Sequence, residues 1–206
     1  MDFTLTEEQN LLIELTRSFV NKELMPHEEL LEKTNELPSK LYAEIKQKSR
    51  DIGLYACNMP KEYGGGGLNA FDLTLVEKEL GHTSLALAEI VWRPQNILMA
   101  CTGKLIEEYL KPTTTGERKD CIAMTEPEAG SDLRGMKTNA VRSGDNWIIN
   151  GTKHFISNAH ISDFVVLFAV TGKDEKGKNL LSCFLVDLDL QGVEVAKGYD
   201  CVSHRG

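Results

Sequence analysis

Met124-Thr125-Glu126-Pro127-Glu128-Ala129-Gly130-Ser131-Asp132 is the stretch on which the reading of this chain turns. A short β-type run, residues 121–125, leads into a turn that holds a proline, a glycine and several side-chain oxygens. In such a turn backbone amides and hydroxyls can converge on a polar ring or a phosphate. An ordinary β-turn, with Asp132 capping its own backbone, fits the same composition.

On the C-terminal side the chain continues in short apolar runs separated by turn residues. Predicted strands cover residues 121–125, 138–142, 147–149, 153–157, 164–170, 181–187 and 193–196. Asn150-Gly151 and Ser143-Gly144-Asp145-Asn146 are tight-turn signals between them. Seven strands without intervening helices point to a β-barrel or sandwich, not to a dinucleotide-binding sheet of alternating strands and helices.

The N-terminal side has helical spacing instead. Thr6-Glu7-Glu8-Gln9 matches a capping box. Leu11, Leu12, Leu15, Phe19 and Val20 then share one stripe until Pro26. A second helix is predicted from Pro38 to a stop at Gly53. Gly64–Gly67 reads as a loop, without the Lys-Ser/Thr ending of a phosphate-binding loop. Further helices are predicted over residues 71–80, 84–99 and 102–110, the last stopped by Lys111-Pro112. The fold expected is therefore α+β and multidomain: an all-helical N-terminal domain, residues 1–112, followed by a β-barrel or sandwich middle domain, residues 113–206.

Composition narrows the function. The 206 residues carry 23 basic and 31 acidic side chains, a net charge of −8 that disfavours nucleic acid. No apolar run is long enough to span a bilayer, and the first residues lack a secretion or import pattern, so a cytoplasmic location is expected. Five scattered cysteines make no CxxC pair and have no metal-ligand spacing with histidine, which predicts reduced thiols and no metal site.

Thr125-Glu126-Pro127-x-Ala129-Gly130-Ser131-Asp132 resembles the signature of the acyl-CoA dehydrogenase family of flavoproteins. Three further motifs agree in order: Trp147-Ile148-Ile149-Asn150-Gly151-x-Lys153, Phe155-Ile156-Ser157-Asn158, and Pro60-x-x-Tyr63-Gly64-Gly65. The resemblance covers nearly the whole chain. It implies FAD as cofactor, an acyl-CoA thioester as substrate, an electron-transfer flavoprotein as partner, and a homodimer or homotetramer. The reaction implied is α,β-dehydrogenation, a base removing the α-proton while the β-hydrogen leaves as hydride to flavin N5. That base is usually a glutamate of a C-terminal four-helix bundle that these residues do not include, so no catalytic base is assigned here. Glu126 and Glu128 are expected to be structural or solvated carboxylates.

The resemblance carries cofactor contacts to particular residues. Met124 and Thr125 are placed along the flavin's pyrimidine edge. Gly130 lets the backbone come close, and Ser131 contacts the cofactor or the CoA thioester. Phe155 covers one flavin face where the family often has tryptophan, and Ser157 stands near N5 where threonine is common. Trp92 is a candidate wall of the acyl pocket. His154, read as a strand neighbour of Phe155, is expected to point away from the flavin. An oxygen-using monooxygenase or oxidase on the same fold, and an inactive binding module, are the alternatives.

Overall fold

The computed structural model describes residues 4–91, 93–196 and 198. They fall into two compact units that divide between Glu117 and Arg118.

The first unit is helical. Helix α1 (Glu7–Phe19) begins with the capping box the sequence encodes: the Thr6 hydroxyl accepts from the Gln9 amide, and the Gln9 side chain accepts from the Thr6 amide. Phe19 and Val20 are buried and Leu12 packs beside them, but Leu11 and Leu15 are exposed, so the buried stripe is narrower than predicted. Helices α2 (Glu28–Thr34), α3 (Ser39–Asp51) and α4 (Ala70–Leu80) follow. Their shared core gathers Leu24, Leu31, Ile45, Leu54, Val76 and Leu80. Helix α4 is clamped to α1 by Arg17, whose guanidinium donates twice at 2.9 Å to the buried Glu79 carboxylate.

The glycine run lies in a loop, and packing explains it. All four amides are spent on carbonyls of residues 56–61: Gly64 on Lys61, Gly65 on Pro60, Gly66 on Ala56 and Gly67 on Met59. A Cβ at Gly65 would lie 2.2 Å from the Met59 carbonyl oxygen, and one at Gly66 would lie 2.8 Å from the Cys57 Cα. The glycines thus let one strand of chain lie flat on another, and no amide remains to cradle an anion.

Two helical predictions are corrected. Residues 84–99 do not form one helix: α5 is only Leu85–Ala88, and a 3₁₀ turn at Asn96–Ala100 follows the break. Pro94 disfavours helical backbone at the residue before it and brings no amide, which helps to split the apolar run. Conversely, Lys111-Pro112 does not end the next helix. A π segment, Ile106–Leu110, leads into α6 (Lys111–Thr114), with Pro112 inside it. A similar π segment, Val20–Leu24, precedes Pro26. In both, the amide after the segment bonds five residues back, Met25 to Val20 and Lys111 to Ile106. The widened turn shifts the carbonyl that a proline ring would otherwise strike.

The second unit is a five-stranded mixed sheet. Its strands are β1 (Asp120–Ala123), β2 (Asn139–Ser143), β3 (Asn146–Asn150), β4 (Phe164–Lys173) and β5 (Asn179–Asp187). Strand β4 is the spine: β5 runs antiparallel along one edge, while β1 and then β2 run parallel along the other. Phe164, Val165, Val166 and Ala169 of β4 are buried, with Cys121 and Ala123 of β1 packed on Val165. The sheet curls enough for the Trp147 ring of β3 to meet Phe184 of β5 edge-on at 5.5 Å, but it is open and does not close into a barrel.

Two predicted strands are absent. Residues 153–157 and 193–196 have no ladder partner among the described residues. The first has Phe155 at φ +57°, backbone that a strand excludes, and Asn158 just after it is at φ +63°. The four described cysteines form no disulfide; burial pushes the thiols of Cys57 and Cys121 up to about 11, while Cys183 is exposed.

Candidate functional site

The segment from Met124 to Asp132 belongs to an excursion from the edge of β4. Strand β1 ends opposite Leu167 and β2 begins opposite Val170, so residues 124–138 leave the sheet and return almost where they left. Within it, Glu126 and Ala129 exchange amide-to-carbonyl bonds of 2.9 and 3.2 Å, making a tight turn with Pro127-Glu128 at the tip.

Glu126 closes the base of this loop. Its side chain is buried, and its carboxylate accepts from the Lys137 amide at 2.6 Å, the Thr138 amide at 3.0 Å and Lys153 Nζ at 2.9 Å. Burial alone would raise its pKa. Hydrogen bonds from Thr138, Lys137 and Lys153 outweigh that and hold the carboxyl at about 2. The Lys153 side chain is mostly buried and also donates to the Met124 carbonyl at 3.0 Å; burial draws its pKa down, against the pull of Glu126. Glu128 is exposed and paired with Lys137. Glu126 is thus a structural carboxylate and Glu128 a solvated one.

The segment bearing Phe155 and Ser157 is fastened to the same loop, since the His154 amide donates to the Thr125 carbonyl at 2.9 Å. The β-unit therefore brings Met124, Thr125, Gly130, Ser131, Phe155 and Ser157 into one pair of linked segments. Trp92 lies outside the described residues. His154 does not point opposite to Phe155: their rings lie 4.0 Å apart and tilted by 34°, because this stretch is irregular and side chains no longer alternate.

Three features make these segments receptive. The hydroxyls of Thr125, Ser131 and Ser157 take no hydrogen-bond partner among the described residues. A Cβ at Gly130 would meet nothing within 4 Å, so the unit's own packing does not demand glycine there. Phe155 is 64% exposed and held in left-handed backbone, a conformation costing an aromatic residue about 1–2 kcal/mol. An exposed ring held at that cost presents a flat apolar face. Glu126 and Lys153 were not joined as a pair by the sequence reading, which placed each in a separate motif.

The family description "Acyl-CoA dehydrogenase, N-terminal domain" matches residues 6–117, and "Acyl-CoA dehydrogenase, middle domain" matches residues 121–206. The chain belongs to the acyl-CoA dehydrogenase family. Among its relatives is "Probable acyl-CoA dehydrogenase YngJ" of Bacillus subtilis, 35% identical over all of this chain and 54% of that protein. The CarC subunit of the caffeyl-CoA reductase-Etf complex of Acetobacterium woodii is 34% identical over 93% of this chain and 51% of its own length. The crystal structure of a glutaryl-CoA dehydrogenase from Mycobacterium smegmatis in complex with FADH2 superposes with a TM-score of 0.84 at 27% identity, covering 98% of this chain and 50% of that one. The chain spans about half the length of the relatives it matches. No helix among the described residues is long and apolar enough to cross a membrane.

Proposed function

We propose that this chain forms the helical and β portions of an FAD-dependent oxidoreductase acting on the CH–CH bond of an acyl-CoA thioester. The observation that carries the reading is the signature loop itself: unpartnered hydroxyls at Thr125, Ser131 and Ser157 beside an uncrowded Gly130 and an exposed Phe155. The likeness to an FADH2-bound glutaryl-CoA dehydrogenase supports FAD.

Bound FAD supplies the hydride acceptor, and the chain's own groups bind and tune it. Thr125 offers its hydroxyl, with the neighbouring amides, to the pyrimidine edge, where negative charge builds on reduction; donors fixed beforehand stabilise that charge. Met124 packs on the same edge. Gly130 admits the cofactor to the backbone, and Ser131 contacts it or the thioester. Phe155 shields one face from water, and Ser157 donates near N5. The proton-accepting base is assigned to the family's C-terminal helical domain, and Trp92 to the acyl pocket. A homodimer or homotetramer served by an electron-transfer flavoprotein is the proposed working form, the partner being supported by the Etf complex of the CarC relative. That relative is named a reductase, which favours a second reading: the same site run toward the saturated thioester.

Anaerobic visible spectra of the purified chain, supplied with FAD and titrated with acyl-CoAs of varied length, test the proposal. Retained flavin is expected, and bleaching by one thioester identifies the substrate class. A chain that retains no flavin overturns the assignment.

A further inference from the structure

We propose that Lys153, held in place by Glu126, is a positioning residue that aims and polarises the Thr125 amide toward the flavin; this rests on the cofactor reading above.

Whole replacement of a buried ion pair by an apolar pair often costs little, since desolvating both charges cancels most of their attraction. Lys153 does something an apolar side chain cannot. Its ammonium donates to the Met124 carbonyl at 3.0 Å while Glu126 holds it at 2.9 Å. The Met124 carbonyl and the Thr125 N–H belong to one planar trans peptide and point in opposite directions. Fixing the carbonyl therefore fixes the direction of the N–H. The following peptide is fixed too, because the Thr125 carbonyl accepts from the His154 amide at 2.9 Å.

Thr125 is thus gripped on both its flanking peptides by two consecutive residues, Lys153 and His154. Among the described residues its own N–H and hydroxyl take no partner. The N–H is thereby a preset donor on the side away from Lys153, and the hydroxyl is a second unspent donor of the same residue. A cation bonded to the carbonyl also draws electron density through the amide, which makes its N–H a stronger donor. Glu126 supplies the counter-charge and, through the Lys137 and Thr138 amides, the rigid base on which Lys153 rests.

The test uses the whole chain with and without FAD. Lys153→Met is expected to raise the FAD dissociation constant at least tenfold and to move the bound flavin's midpoint potential to more negative values. In the flavin-free chain it should speed hydrogen exchange of the His154 amide at least tenfold, while core amides of β4 and β5 change less than twofold. Lys153→Gln, which keeps a shorter neutral donor, should raise the dissociation constant about threefold and serves if the methionine variant does not fold. Lys153→Arg, which keeps charge and donor, should restore most of the affinity. Unchanged FAD affinity in a folded Met or Gln variant overturns the proposal, as does exchange that rises equally throughout the sheet. Wild-type protein that binds no FAD overturns the cofactor reading, and the positioning role with it. The two failures are told apart because only the latter is seen without any substitution.

Discussion

Replacing Glu126 by glutamine removes the charge from a side chain that is only 4% exposed and on which two backbone amides and Lys153 converge. Holding its carboxyl at about 2, against an ordinary 4.5, corresponds to about 3 kcal/mol of folding free energy at neutral pH. The sign is set by the direction of the shift. A pKa lowered in the folded state gives stability that is complete above about pH 4.5 and is lost as pH falls toward about 2. About 2 kcal/mol should have gone by pH 3. In the Glu126→Gln variant that loss has no source, and at pH 7 the variant should be less stable by about 3 kcal/mol, since Lys153 keeps its charge without a counter-charge. Urea unfolding followed by Trp147 fluorescence in a Trp92→Phe background reads the β-unit, because Trp147 lies on β3 against Phe184. The wild-type and Glu126→Gln free energies should converge as pH falls from 6 to 3. Curves that stay parallel over that range would refute the account of Glu126 as the loop's electrostatic anchor.

Gly65→Ala should destabilise the helical unit by about 2 kcal/mol or more in thermal unfolding, because its Cβ meets the Met59 backbone. Gly130→Ala should leave stability within about 0.5 kcal/mol, there being nothing near the new methyl, yet weaken FAD binding measured by fluorescence titration. Thr6→Ala removes one half of the capping box and should cost about 1 kcal/mol, read from the same melts. Thr125→Val should cost about 1–3 kcal/mol of flavin affinity, or an equivalent shift in potential, if a buried ring acceptor loses its donor; an unchanged spectrum and potential would count against that contact. Phe155→Gly should keep stability within about 1 kcal/mol, as relief of left-handed backbone offsets the lost ring contact, while flavin retention falls.

The legible parts of the fold were those that local chemistry decides. The Thr6–Gln9 box, the stop at Gly53, the glycine loop and the hairpin from Asn139 to Asn150 are each set by a few neighbouring residues. Misreadings arose where a distant partner decides. Lys153 to Ser157 is a short run with Phe155 and Ile156 at its centre and turn residues on either side, as a strand can be, but His154 bonds to Thr125 and Phe155 turns left-handed, so no ladder forms. Pro112 reads as a helix stop because periodicity assumes a constant pitch, and the π segment before it changes the pitch. The site shows the same division. Its hydroxyls and glycine lie in two short motifs, 125–132 and 155–158, whereas the Glu126–Lys153 pair joins residues 27 positions apart and is invisible to any local pattern.

The two π segments hold the history of the helical unit as well as its shape. Each holds one residue more than an α-helix of the same span would need, and each has a proline two positions past its end. Such a surplus residue is the mark an insertion leaves when the downstream helix keeps its phase. A single deletion within Val20–Leu24 or Ile106–Leu110 would therefore return the segment to α pitch without rotating the downstream turn. It would also drive the ring of Pro26 or Pro112 into a carbonyl one turn back. The dependence runs one way: the surplus residue cannot be lost without strain while the proline stays, and lineages that shed the surplus residue should be found to have shed the proline as well.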